Sequence, residues 1–319
     1  MSFFPPRWLR KAILRTVPKA GGSDQRVVTT VIQGFRATLE DDRFAVLVAR
    51  MNEVEPDWRG FAYEGVGLGL TVFDYMLPWR KRLQTFVAGP GAAYIIPIYI
   101  GAGLAFGRFG GRRIMWFIRR LDHPVFRWMV IDGYGFYRGF FARRRFLIEQ
   151  EEPKNLTGYA RRVFDQGLGR SIWFANGEDV ERVVAMIASF PEARRADLWA
   201  GASFACAYAG SPMTREALER LRAAAAPYQA QLAVASTLAA KRRYGFGHLT
   251  SHTELTCQVF CGLSGAMAAK VADDALENIP CAEDASSYQI WRLRIATYFD
   301  EPATPPANEP LVSTQRKEL

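Results

Sequence analysis

The 319-residue chain carries 41 Lys and Arg against 32 Asp and Glu, a formal net charge of +9, and 49% of its residues are hydrophobic, including 22 Phe, 12 Tyr and 8 Trp. A chain of this size can bury about three quarters of its unfolded surface without staples, and this composition excludes a disordered main body. Four cysteines, Cys206, Cys257, Cys261 and Cys281, are too few and too irregularly spaced for a disulfide framework, which points to a reducing, cytoplasmic compartment. The basic residues are scattered and no nucleic-acid-reading motif accompanies them, so no nucleic acid is expected as partner.

Residues 1–24 form a basic amphipathic N-terminal segment. Arg7, Arg10, Lys11 and Arg15 alternate there with Phe3, Phe4, Trp8, Leu9, Ile13 and Leu14. No uninterrupted apolar core precedes a cleavage site, so it is not a secretory signal; it either docks on the body or makes a peripheral membrane contact through residues 1–20. Apolar spacing of three and four predicts a helix over Val27–Val48. The stretch Val87–Gly107 has no charged side chain and is long enough to cross a bilayer, but Gly89-Pro90-Gly91 and Pro97 interrupt it, and a helix buried in protein is expected. Further helices are predicted over Val180–Phe190, Thr214–Ala226, Gln229–Arg243, Leu255–Ala275 and Tyr288–Phe299. Asn176 is the expected N-cap ahead of Glu178 and Asp179, and Thr250-Ser251 caps another helix. Residues 301–319, with Pro302, Pro305, Pro306 and Pro310, read as a disordered tail.

Self-similarity organises the middle of the chain. Glu55-Pro56, Gly60-Phe61-Ala62 and Glu64-Gly65-Val66-Gly67 recur in order as Glu152-Pro153, Gly158-Tyr159-Ala160 and Asp165-Gln166-Gly167-Leu168-Gly169. The small-residue stretch Gly101-Ala102-Gly103 returns as Gly201-Ala202-Ser203, and Asp132-Gly133-Tyr134-Gly135 pairs more weakly with Tyr244-Gly245-Phe246-Gly247. The expectation is an all-α fold of two diverged helical repeats, residues 25–150 and 151–300, packed with a pseudo-twofold relation around a hydrophobic interior. The Gly-x-Gly pairs are expected at turns or helix ends that need positive φ.

No nucleotide-binding loop, zinc-protease helix, paired Cys-x-x-Cys or nucleophile elbow is present. His248, His252, Glu254, Cys257 and Cys261 have some metal-ligand spacing, but His252 and Cys257 diverge around a helix, so no metal is expected. Glu64, Asp132 and Asp165 stand beside glycines. They either cap helix N-termini or meet in an aromatic cavity, where a desolvated carboxyl serves as a general acid or base. Around these three candidate catalytic acids, the expected substrate-binding residues are Tyr134, Phe136, Arg170, Trp173, Trp199, His252 and Glu254. Arg170 would anchor an anion and the aromatic rings would stabilise positive charge. The residues designate no cofactor.

Glu64-Gly65-Val66-Gly67-Leu68-Gly69, Asp132-Gly133-Tyr134-Gly135-Phe136, Phe164 to Phe174, Asp197-Leu198-Trp199, Ala205 to Gly210 and His252-Thr253-Glu254-Leu255 together resemble the DUF1702 family. The resemblance runs from about Gln33 to Phe299. Members accompany polyene-making synthases in loci for enediyne polyketides, which implies a role in maturing a linear polyene and partner enzymes in that biosynthesis. Relatives tend to carry a histidine where this chain has Tyr137, so acid–base duty at that position is not expected here. The reading is an enzyme, or enzyme subunit, that rearranges, cyclises or oxidises a hydrophobic polyene or isoprenoid chain. The alternative is a carrier that shields such an intermediate, at the membrane surface or in solution.

Overall fold

The computed structural model describes residues 25–209, 211–280 and 286–300; the expectations for residues 1–24 and 301–319 lie outside them. The described residues are helical and contain no strand, so the fold is all-α. A packed series of mostly longer helices alternates with shorter elements. The long series is α1 (Gln25–Glu40), α3 (Pro56–Met76), α5 (Ile95–Phe109), α7 (Met129–Phe141), α8 (Tyr159–Ala175), α10 (Glu192–Ala209), α12 (Gln229–Gly245) and α14 (Gly265–Asp274). Between them run α2 (Phe44–Asn52), α4 (Arg82–Val87), α6 (Ile114–Ile118), a π-helical turn (Arg144–Ile148), α9 (Val180–Ala188), α11 (Arg215–Ala224) and α13 (Ser251–Phe260), and α15 (Ser286–Asp300) ends the described chain. Helix α14 closes the packed series at ten residues, the length of α11 and α13.

Each long helix packs on the next long helix in the series, from α1 through α14. Glycines make the joints. At five successive joints one glycine from each partner faces the other's backbone: Gly34 with Gly65, Gly67 with Gly101, Gly103 with Gly133, Gly135 with Gly167, and Gly169 with Gly201. A Cβ on any of the ten would lie 1.8 to 2.2 Å from a carbonyl oxygen of the neighbouring helix. No side chain fits there, so the helices touch backbone to backbone. Glycine in a helix interior costs roughly 0.5–1 kcal/mol relative to alanine, and the close approach offsets that cost.

These joints correct the expected period and the expected turns. The recurrence seen at Gly65-Val66-Gly67 and Gly167-Leu168-Gly169 is three steps of a shorter unit, since equivalent pairs occur at Gly101-Ala102-Gly103 and Gly133-Tyr134-Gly135. The small-residue helices α5 and α10 pack on their neighbours in the series, α5 on α3 and α7, α10 on α8 and α12. All these glycines lie inside helices; positive φ is confined to Gly110, Gly158, Gly177, Gly247 and Gly262 among the described glycines. A side-chain tie repeats with the unit. Arg59, Arg161 and Arg195, each in the first turn of a long helix, donate from Nε to the carbonyl five residues back, at Val54, Leu156 and Phe190.

Side-chain caps open α9, α11, α13 and α14 among the described helices, and two further corrections follow. Asp179, not Asn176, caps α9 by accepting from the Arg182 N–H, while Asn176 closes α8 and donates to the Ile172 carbonyl. Thr250 caps α13 as expected. The predicted helix over Val27–Val48 is two helices, and the one over Leu255–Ala275 breaks at Gly262 into α13 and α14, which meet at 70°. Of the uncharged segment, residues 88–94 form turns with several exposed residues, and from Ile95 it is α5, buried from Pro97 to Gly107. Pro97 sits in its first turn, where no intrahelical donor is lost.

Candidate functional site

The inner faces of three neighbouring helices read continuously from one cavity into another. On α5, Ile96 and Ile100 line one cavity, and Leu104 and Arg108 line the other; on α7 the series is Met129, Asp132 and Phe136; on α8 it is Gln166, Arg170 and Phe174. Spacings of three and four keep each series on one helix face. The first cavity takes its remaining walls from α1 (Val27, Val31, Ile32, Phe35) and α3 (Phe61, Glu64, Leu68), and holds about 850 Å³ counting the part open to solvent. The second, about 500 Å³, is completed by Phe204 of α10, Leu238 and Arg242 of α12, and Tyr288, Trp291 and Arg292 of α15. Arg170 lines both.

A buried charge cluster crosses the lumen between them. Arg242 donates from Nη2 to Glu64 Oε1 at 2.9 Å, Arg170 donates from Nη1 to Asp132, and Arg170 Nη2 lies 3.9 Å from Glu64 Oε1. All four side chains are under 10% exposed. With both carboxyls ionised their charges sum to zero. Arg170 lies over the Phe136 ring at 5.0 Å and Arg242 over the Tyr208 ring at 4.2 Å, and Phe204 stands within cation–π reach of both. Burial pushes the Glu64 carboxyl above the usual carboxylate range, against the pull of Arg242 and Arg170. Glu64 is the one acid among the described residues lining the first cavity.

The structure thus brings Glu64, Asp132, Arg170 and Phe136 together and places the other expected residues elsewhere. None of the three acids caps a helix. Asp165 forms a two-pronged pair with Arg194 Nε and Nη2, which also donates to the Gln150 carbonyl, and burial raises its carboxyl as well. Tyr134 points from α7 toward Asn155, with its ring edge on Phe164. Trp173 and Trp199 are buried in the core outside both cavities. His252 is a structural acceptor and donor: its Nδ1 accepts from the Met213 N–H at 3.4 Å and its Nε2 lies 2.9 Å from the Cys206 carbonyl. Glu254 ties α13 to α14 by accepting from the Gly265 N–H. No group of three or more His, Cys, Asp or Glu among the described residues has the arrangement of a metal site.

Arg242 and Arg292 are the functional candidates that sequence reasoning missed. Arg242 meets Glu64 across 178 positions, and nothing local marks a buried arginine in the run Lys241-Arg242-Arg243. The helical phase was the available signal, because Leu238 and Arg242 share a face four residues apart.

No curated protein and no solved structure matches the chain. A family model described as "Protein of unknown function (DUF1702)" matches residues 15–299, and by that match the chain belongs to the DUF1702 family.

Proposed function

We propose that this protein binds an elongated apolar chain, a polyene or isoprenoid, in the first cavity and rearranges it by proton transfer at Glu64. The observation that carries the reading is one buried carboxyl, pushed by burial toward its protonated form, in a wall that apart from Arg108 and Arg170 is aliphatic and aromatic. Apolar lining with few convergent polar groups is the usual form of a small-molecule site. Resemblance to proteins that accompany polyene-making synthases supports a polyene over other apolar chains.

In the proposed step the Glu64 carboxyl donates its proton to a double bond of the chain, leaving a carbocation and a carboxylate. A second double bond attacks the cation, or the charge migrates, and loss of a proton back to Glu64 ends the reaction with an isomer of equal mass. Phe61, Phe136 and Phe174 face the path of that cation, and ring faces attract positive charge. Asp132 holds Arg170 in place and is a positioning residue. The proposed setting is cytoplasmic, beside the enzymes that make and consume the chain.

A second reading, a carrier without turnover, is favoured by one observation: Glu64 already has Arg242 as its partner. Purified protein incubated with extracted polyene, with products followed by mass, separates the two. An isomer of equal mass that disappears in Glu64→Gln supports proton transfer; tight binding with the polyene recovered unchanged supports the carrier. Product formation at the wild-type rate in a folded Glu64→Gln protein overturns the proposed mechanism.

A further inference from the structure

The second cavity has no role in the reaction proposed above, and its polar lining is unbalanced. Arg170, Arg242 and Arg292 contribute three positive charges to it and Asp132 one negative charge. Glu64, behind Arg242 and Arg170, supplies a second negative charge. With both carboxyls ionised these five groups still leave one positive charge uncompensated; Asp197, the nearest further acid acting on the half-buried Arg292, is itself paired with Arg162. Buried charge in proteins is normally paired, because an isolated ion out of water is costly.

The orphaned atoms show where the missing partner belongs. The Arg242 side chain is 1% exposed, and among the described residues its Nε and Nη1 have no hydrogen-bond partner; Nη2 is engaged by Glu64. Stacking on Tyr208 satisfies the face of the guanidinium, not its edge. Arg292 on α15 has a single hydrogen-bond partner among the described residues, the Tyr288 hydroxyl at 3.4 Å, and that hydroxyl itself donates to Gln166 Oε1 at 3.1 Å. Two guanidinium edges thus border one cavity, and guanidinium edges match the oxygen pairs of carboxylates and phosphates.

We infer that the second cavity is an oxyanion site, in which Arg242 Nε and Nη1 together with Arg292 hold a carboxylate or a phosphate. Ile96, Ile100, Leu238 and Trp291 supply apolar walls to the same cavity. Because Arg170 lines both cavities, an anion held here lies at the far side of the charge cluster from the apolar cavity. An amphipathic ligand would place its acidic end by Arg242 and its chain along Phe136 and Leu104. That placement rests on the proposed function; the oxyanion site itself does not.

Calorimetric titration of the full chain tests the inference, with inorganic phosphate, acetate, dodecanoate and dodecanol as probes at constant ionic strength. Saturable binding of phosphate or acetate that falls at least tenfold in both Arg292→Gln and Arg242→Lys supports the site and identifies a free anion as sufficient. Dodecanoate binding at least tenfold tighter than dodecanol, with the advantage lost in Arg292→Gln while dodecanol binding is kept, supports the site and assigns the anion to a chain's end. Dodecanol binding also reports that the variant is folded. The inference is overturned if no anionic probe binds the wild type more tightly than dodecanol or to saturation, or if both variants bind anions as the wild type does. Failure of dodecanol to bind, with phosphate still bound, removes the apolar-chain reading and leaves the oxyanion site standing.

Discussion

Arg242 and Glu64 meet across 178 positions of chain, the guanidinium Nη2 donating to Oε1 at 2.9 Å, and through this pair α12 closes onto α3 over the lumen. Tyr94 stacking on Phe246 at 4.4 Å, and Arg243 donating to the Asp57 carbonyl, hold the same seam outside the cluster. Arg242→Met leaves Glu64 charged and buried with Arg170 only at 3.9 Å. A destabilisation of about 3–5 kcal/mol is expected from breaking one side of a buried pair. The charge-balanced double variant Arg242→Met, Glu64→Leu should recover most of it. Urea unfolding of the single and double variants measures both, and a double variant no more stable than Arg242→Met contradicts the pairing argument.

The backbone joints predict opposite outcomes for two glycine-to-alanine changes. At Gly101 the new Cβ would meet the Glu64 carbonyl at 1.8 Å, and neither helix can retreat without disturbing its other joint. Overpacking of this kind costs roughly 1–3 kcal/mol. At Gly245, near the end of α12, nothing lies within 4 Å and the backbone is helical. Gly245→Ala should be neutral or stabilising by up to about 1 kcal/mol. Melting temperatures of the two proteins, measured side by side, decide the matter.

Stability should fall on the acid side through two histidines. Burial lowers the pKa of His252 and of His123 below 6.5, and each uses Nδ1 as an acceptor, His252 from the Met213 N–H and His123 from the Val125 and Phe126 N–H groups. The unfolded chain therefore binds protons that the folded chain resists. Their contribution is complete above pH 6.5 and is lost as pH falls below it toward the lowered folded values. Unfolding free energies at pH 7.5 and pH 5.5 should differ more in the wild type than in His252→Gln. An identical difference in both proteins would show that His252 titrates as it does in the unfolded chain.

Filling the first cavity tests occupancy without touching the charge cluster. Ile32 is half-buried on α1 and faces the cavity. Ile32→Trp should leave the helical content unchanged and weaken binding of an apolar chain at least tenfold, read by quenching of intrinsic fluorescence. Undiminished affinity would place the chain somewhere other than this cleft.

Local signals in the sequence carried the helices well. Periodicity alone placed α9 and α12 to within a few residues, although α9 carries an apolar stripe while α12 is buried among several helices. Glycine misled, since its local preference is for turns, whereas Gly67 and Gly101 exist for contact between helices. The recurrence was read at three times its true step because the residues flanking Glu64 and Asp165 look alike, although the two acids meet different arginines. Glu64, Asp132 and Arg170 were found by composition beside glycine, a consequence of each helix presenting its inner face next to its joint. Asp165, His252 and Glu254 have equally polar surroundings in sequence. Only three-dimensional placement separates a lumen residue from a brace.

Joints without side chains have a consequence for how such a protein can change. The spacing of the helices at the five glycine joints is set by main-chain contact, so residues facing the cavities are free to vary without shifting those helices against their neighbours. Swapping Phe136 or Leu104 for larger or smaller groups alters the bore while the frame keeps its spacing. The same frame can therefore be recut for chains of different width, and adding a whole step would lengthen it.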